Sequence, residues 1–235
     1  VPLDLTEFDA IDRLGAALIE AIRRRAPRTR FSGGGGAQMA ALGVPSLFPL
    51  GDLAIIGFAS AVKVLPKVLQ RVRQTADAVV AARPDVLVII DSPEFTHRVA
   101  RRVRAYVPAI PIVDYVCPSV WAWRPGRARA MHAYVDHVLA LLPFEPETMR
   151  RLGGPPCTYV GHPLYERAER LRPNVEEARR SLSNPPVLLV MPGSRRSEIY
   201  RMASVFGEAA TLVSQHAGAL DVVVPAVPRL AETVA

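Results

Sequence analysis

The chain has 235 residues, half of them hydrophobic, enough to bury a substantial core in one large domain or one and a half ordinary ones. Its 29 Lys and Arg against 22 Asp and Glu leave a formal charge of +7, nearly all from arginine, because Lys63 and Lys67 are the only lysines. That balance favours anionic partners such as phosphates or an acidic membrane surface; nucleic acid is not expected, since the basic residues are spread over several helices and no recognition motif accompanies them.

Residues 12–26 predict a helix with Leu14, Leu18 and Ile22 on one face and Arg23, Arg24 and Arg25 at its basic end. Gly33 to Gly36 lack the following Gly-Lys-Ser/Thr of a phosphate loop and read as a flexible connection into a short helix over 36–43. Residues 53–82 read as helical from about Phe58, with Pro66 expected to kink or interrupt them. Residues 85–90 are a buried strand, followed by a helix from Pro93 to about Tyr106. A strand over 110–116, a helix over 125–134, a strand over 137–142, a helix to Leu152 and a short strand at 158–160 continue the alternation. Strand followed by helix, repeated, implies an α/β fold with a parallel, doubly wound sheet. Residues 164–185 are polar and Pro-rich, read as a linker with helical character near 174–182, and precede a fresh unit. That unit has a strand over 187–191, a helix over 197–216 and a strand over 221–224. The expected organisation is a first domain over 1–163, the linker, and an incomplete second domain over 186–235, because two strands do not make a stable sheet of this class.

The most informative segment is Val113 to Arg124, where a β-branched run stops at Pro118 and both tryptophans of the chain, Trp121 and Trp123, precede Arg124. A loop at the carboxyl end of a parallel strand is where open α/β sheets bind ligands, and aromatic faces beside a guanidinium suit a sugar or an anionic head group. The structural alternative is that one tryptophan plugs the core and Arg124 caps the next helix. Asp91 ends a strand ahead of a helix, where a carboxylate suits taking a proton from a substrate hydroxyl. Alternatively it is the N-cap of the helix beginning near Pro93, with Glu94 as a first-turn dipole partner. In Met191 to Glu198 a strand runs into a glycine turn and a helix. Free N–H groups there suit phosphate oxygens, Arg195 adds a bidentate contact, and Glu198 is a first-turn acid or orients an arginine; the plain alternative is an ordinary turn. His162 follows a short strand and is either a hydrogen-bonded structural histidine or a substrate contact. His97, His132 and His137 have no metal-ligand spacing, Cys117 has no adjacent base, and with Cys157 as the only other cysteine neither a disulfide framework nor a zinc site is indicated. Residues 53–70 read either as a core helix or, with Lys63 and Lys67 alongside, as an apolar helix that docks on a membrane or holds acyl chains. The opening residues do not read as a signal peptide and no apolar run is long enough to span a bilayer, so a reducing cytoplasm is expected.

Together these segments resemble the lipid-A-disaccharide synthases, two-lobed GT-B glycosyltransferases of Gram-negative lipid A synthesis. The resemblance runs from about Asp12 through Gly34 to Met39, Asp91-Ser92-Pro93-Glu94-Phe95, the run Tyr115 to Arg124 and Leu142-Pro143-Phe144-Glu145. It continues through Tyr159 to Leu164 and Pro192-Gly193-Ser194-Arg195 with Glu198-Ile199; Pro-Ser-Val-Trp-Ala-Trp-Arg is its most specific part. The resemblance implies an inverting transfer of 2,3-diacylglucosamine from UDP to the 6-hydroxyl of 2,3-diacylglucosamine 1-phosphate (lipid X), giving a β-1′,6-linked disaccharide 1-phosphate and UDP. It implies Asp91 as base and Arg195 as stabiliser of the departing diphosphate. Ser119, Trp121, Trp123, Arg124, His162, Gly193, Ser194 and Glu198 are expected around the substrates. No metal and no cofactor are expected. A peripheral position on the cytoplasmic surface of the inner membrane and a possible homodimer complete the expectation.

Three departures stand out. Residues 1–12 lack the family's opening strand and Gly-Glu-x-Ser-Gly-Asp loop, of which only Asp12 matches; Cys117 stands where serine is usual; and the family continues beyond this chain, so little transferase activity is expected of it alone. The rival readings are another two-lobed UDP-sugar enzyme of the 2-epimerase kind, and a non-catalytic lipid-binding fragment whose exposed half-sheet a second copy would cover.

Overall fold

A computed structural model describes residues 7–48, 61–163, 165, 168, 172–181, 185–193 and 196–225. The chain forms two compact units, one of which is Ala10–Glu166; the described elements from Val175 onward belong to the other.

The first unit carries helices α1 (Glu7–Arg25), α2 (Ala37–Ala41) and α3 (Ala61–Ala82), then β1 (Leu87–Ile90), α4 (Pro93–Tyr106), β2 (Ile112–Tyr115), α5 (Gly126–Met131), β3 (His137–Ala140), α6 (Glu145–Arg151) and β4 (Cys157–Tyr159). The four strands pair in chain order, all parallel. Val103, Ile112, Met131, Val138, Ala140 and Met149 are sealed from solvent between sheet and helices. Each large apolar side chain buried this way contributes about 1.5–3 kcal/mol. Phe48 meets Phe95 edge to face at 6.1 Å, and α3 packs along α4 through Val68, Val72 and Ala76.

Helix α3 runs through Pro66 without interruption. Proline lacks one N–H and crowds the preceding turn, and here that cost falls five residues after Ala61. The apolar stretch before it, including Phe58, lies outside the described residues, so the membrane-docking reading of residues 53–70 is covered only at its end, where Leu65 and Leu69 are exposed and Val68 is buried.

The glycine run is not a loose connection. Asp12 of α1 reaches across to the start of α2, and its carboxylate accepts the backbone N–H groups of Gly36 (2.7 Å), Gln38 (2.8 Å) and Met39 (3.0 Å). A Cβ on Gly36 would come within 2.6 Å of Asp12 Oδ2, so only glycine lets the carboxylate approach this closely. At the other end of α2, Arg23 Nη2 donates to the Leu42 carbonyl at 2.8 Å. Helix α1 thus supplies an anion to the amino end of α2 and a cation to its carboxyl end, matching both orphan groups and dipole. The periodicity of α1 shows its apolar face but not this cross-chain cap, because the partners are 24 to 27 residues apart.

The second unit holds α7 (Val175–Ser181), β5 (Val187–Leu189), α8 (Arg196–Ala217) and β6 (Asp221–Val223). β5 and β6 pair in parallel, joined through α8, as the alternation of apolar run and helix predicts. Asn174 caps α7 with its side-chain oxygen on the N–H groups of Glu176 and Glu177, both at 2.9 Å.

Replacing the buried Asp12 with alanine leaves three partly buried backbone donors without their acceptor. We expect a loss of about 2 kcal/mol or more in urea unfolding, with Asp12→Asn intermediate. A midpoint unchanged by Asp12→Ala would contradict the role given to this cap.

Candidate active site

Parallel pairing in chain order brings the carboxyl ends of all four strands of the first unit to one edge. The ladder extends one residue past the strands: Asp91 N donates to Tyr115 O (3.1 Å), Val116 N to Leu139 O (3.0 Å) and Val160 N to Ala140 O (2.9 Å). Beyond that the chain turns sharply. Among the described residues five non-glycine positions have positive φ, and four lie here: Asp91 at 48°, Ser92 at 46°, Val116 at 87° and Arg124 at 52°. Each costs about 1 kcal/mol or more, and such strain persists only where surrounding packing enforces it; it gathers at functional sites.

Asp91 does not cap the helix that follows it. Ser92 is the N-cap of α4 and Pro93 its first residue, and no side chain caps this end. The Asp91 carboxylate accepts the N–H of Ser92 at 2.7 Å, and no ion pair with another described residue engages it. Its carbonyl is held by the Thr96 hydroxyl at 2.6 Å. The half-buried carboxylate therefore keeps acceptor capacity at the strand end.

The tryptophans do not plug the core. Cys117, Pro118 and Val120 are buried and anchor the loop, while Trp121 and Trp123 are 48% and 53% exposed. The Ser119 carbonyl accepts the N–H groups of Ala122 (3.0 Å) and Trp123 (3.2 Å), which folds the loop into a turn. Trp121 meets Phe144, from the loop after β3, edge to face at 5.4 Å. Arg124 is not a helix cap: its guanidinium lies 4.3 Å from the centre of the Trp123 ring, and Arg127 lies 5.6 Å from it. Both arginines converge on Glu94 at the start of α4, Arg127 at 2.5 Å and Arg124 at 3.7 Å. Burial alone would raise the Glu94 pKa, but the Arg127 hydrogen bond and charge, with Arg124 and Arg98, hold it below the usual carboxylate range. Glu94 is the organising residue that local sequence reading places only as a dipole partner. Its partner Arg127 lies 33 residues away, and no local spacing signals the pair.

His162 follows Gly161, whose φ of +85° turns the chain at the end of β4, and the His162 carbonyl accepts the Tyr165 N–H at 2.9 Å. The His162 side chain is exposed. In the second unit Gly193 has φ +117°, and the Glu198 side chain lies against its Cα so closely that a Cβ would come within 2.5 Å of Oε2. Glu198 is in the first turn of α8, where it complements the helix dipole, and Pro192 and Ile199 are buried beside the turn. Ser194 and Arg195 lie outside the described residues. No group of three or more His, Cys, Asp and Glu side chains among the described residues is arranged to hold a metal ion. A cavity of about 940 Å³ lies near the amino end of β1, lined by Ala26 to Ser32 and Ala82 to Asp85. It holds none of the residues singled out in the sequence, so chemistry and not cavity size locates the candidate site.

Residues 7–234 match the family model described as lipid-A-disaccharide synthetase. The chain belongs to the lipid-A-disaccharide synthase family. This is a glycosyltransferase family of GT-B fold, in line with the resemblance drawn from the Trp-Ala-Trp loop and the motifs around it. A lipid-A-disaccharide synthase of Nitrobacter hamburgensis is 63% identical over 224 residues, covering 95% of this chain and 57% of the relative. That of Bradyrhizobium diazoefficiens is 59% identical over 224 residues, again 95% and 57%. That of Rhodospirillum centenum is 44% identical over 227 residues, 95% and 56%. The chain thus spans a little over half the length of the curated relatives it matches.

Exposed ion pairs are worth at most about 1 kcal/mol, so Glu94→Gln should lower stability only slightly at neutral pH. A depressed folded pKa stabilises above the unfolded value and ceases to do so as pH falls through the folded one. The gap between wild type and Glu94→Gln in thermal midpoint should therefore close below about pH 4. The emission of Trp121 and Trp123 should shift in the variant at pH 7. A gap that widens toward acid would contradict this pairing.

Proposed function

We propose that the chain contributes the acceptor lobe, residues 1–163, and through a linker over 164–185 the beginning of the nucleotide-sugar lobe, residues 186–235, of an inverting glycosyltransferase. The reaction joins UDP-2,3-diacylglucosamine to 2,3-diacylglucosamine 1-phosphate and releases UDP. The observation that carries this reading is the Asp91 carboxylate, held at the end of β1 by a strained turn and spent neither on the helix cap nor on an ion pair among the described residues. In the proposed step Asp91 takes the proton of the acceptor 6-hydroxyl as its oxygen attacks the anomeric carbon. The bond to the diphosphate breaks on the opposite face, which inverts the configuration, and Arg195 with the Gly193-Ser194 turn neutralises the charge that leaves with UDP.

The exposed faces of Trp121 and Trp123 suit the glucosamine ring, and Arg124 suits the acceptor phosphate at the rim. Ser119 and His162 complete the acceptor side, and Glu198 steadies the turn on the donor side. The diacylated substrates place the enzyme on the cytoplasmic surface of the inner membrane, which the arginine excess favours. No helix among the described residues is long and apolar enough to cross a membrane, so attachment there is peripheral in this reading. A homodimer is part of the same proposal.

In a chain of the relatives' full length, Asp91→Asn should lower kcat by about 10²-fold or more, with the thermal midpoint nearly unchanged. Turnover at the wild-type rate would remove Asp91 from the mechanism.

A further inference from the structure

The arginines between α3 and α4 have no part in the proposed reaction. A groove of about 650 Å³ separates the two helices, and Leu69, Arg73, Arg98, Arg101, Arg102 and Tyr106 are among the residues that line it. Leu65, Leu69, Arg73 and Asp77 follow one another every four residues on α3, which sets them along one face. Both leucines and Tyr106 are exposed, whereas Val68 and Val72 of the same helix are buried. Asp77, late in α3, meets Arg102, late in α4, at 3.6 Å. The two leucines therefore lie toward the start of α4, where Glu94 pairs with the arginines of the tryptophan loop.

Four guanidinium groups border this groove and no acidic side chain lines it. Like charges gathered this closely repel one another, and an anion between them reverses the sign of the interaction. Arg73 and Arg98 are exposed and make no hydrogen bond or ion pair among the described residues. Arg101 is held in place: its Nη2 donates to the Tyr134 hydroxyl at 3.1 Å and its guanidinium lies over that ring at 4.6 Å. Arg102 lies over the Tyr106 ring at 5.0 Å. Its Nε is buried without a hydrogen-bond partner, because Asp77 at 3.6 Å is too far to accept. A phosphate group supplies several acceptor oxygens and suits guanidinium groups in pairs. The exposed leucines narrow the choice further, since a small soluble anion leaves them in water and a lipid covers them.

We propose that the groove between α3 and α4 seats the phosphate groups of acidic phospholipids at a bilayer surface, with Leu65 and Leu69 entering the apolar layer beside them. Arg73 and Arg98 make the first contacts, Arg102 donates from the floor, and Arg101 adds fixed positive charge. The leucine end of the groove faces the start of α4, so a bilayer held there lies next to the edge at which Asp91 and the tryptophan loop leave the sheet. The inference rests on the reading of the protein as one that works at a membrane surface.

The test is sedimentation of the 235-residue chain with vesicles of phosphatidylglycerol and phosphatidylethanolamine, and with vesicles of phosphatidylcholine alone. The acidic vesicles should bind it about 10-fold or more tightly than the neutral ones. Arg73→Gln combined with Arg98→Gln should lose about 10-fold or more of that binding, and Arg73→Lys with Arg98→Lys, which keeps the charge, should retain most of it. Arg150→Gln with Arg151→Gln on α6 removes the same charge elsewhere and should cost less than about 2-fold. Equal losses from the two glutamine pairs would make the attraction one of net charge and overturn the groove. Saturation of the Arg102 Nε–H resonance by inorganic phosphate at micromolar concentration would assign the groove to a soluble anion and overturn the lipid. Failure of the membrane-surface reading would show as wild-type chain that sediments with neither vesicle, and it would take this inference with it. Failure of the inference alone would show as acidic-vesicle binding that Arg73→Gln with Arg98→Gln leaves unchanged.

Discussion

The register of the parallel sheet is the constraint on which the rest depends. With β1, β2, β3 and β4 paired in chain order, Asp91, the Trp loop, Phe144 and His162 all leave the sheet at one edge. After β1 and β2 the chain then departs through turns that ordinary backbone preferences oppose, most plainly at Val116, a β-branched residue with φ of 87°. The buried Val120 and Cys117 anchor the Trp loop, and the partly buried Thr96 hydroxyl holds the Asp91 carbonyl. A slip of one residue would move every one of these groups to the wrong face.

Charge is distributed with the same economy. Each of the carboxylates Asp12, Glu94 and Asp114 is committed to a distinct partner set: backbone N–H groups, arginines and a histidine respectively. Among the described residues, the Asp91 carboxylate has only its neighbour's N–H. Glu94 pairs with both arginines beside the tryptophans, closely with Arg127 and at 3.7 Å with the exposed Arg124, which favours a cation next to an aromatic face. The sugar-and-anion reading of this loop therefore rests on geometry as well as on composition.

The strands and helices were legible in the sequence where local pattern and burial agree. Asp-Val-Leu-Val-Ile-Ile reads as a strand and β1 forms within it, although as the first strand of the sheet it buries only Ile89 and leaves Val86 exposed, and Pro93 marks the first residue of α4. The Trp loop was legible as a site because two rings and a guanidinium follow a strand. Pairings across 17 to 37 residues were not legible, since no periodicity encodes them: His97 with Asp114, His97 with Tyr134 and Glu94 with Arg127. Gly33 to Gly36 misled for the same reason. Glycine signals freedom locally, and only the distant Asp12 explains why the absent side chains here make room for a cap.

In the proposed reaction Asp91 is the group that meets the acceptor. The most direct measurement is a crystal structure of the chain with 2,3-diacylglucosamine 1-phosphate bound. The 6-hydroxyl should lie about 2.6–3.2 Å from an Asp91 oxygen, with the glucosamine ring against the tryptophan loop. An acceptor bound elsewhere on the molecule, with Asp91 facing only solvent, would contradict it.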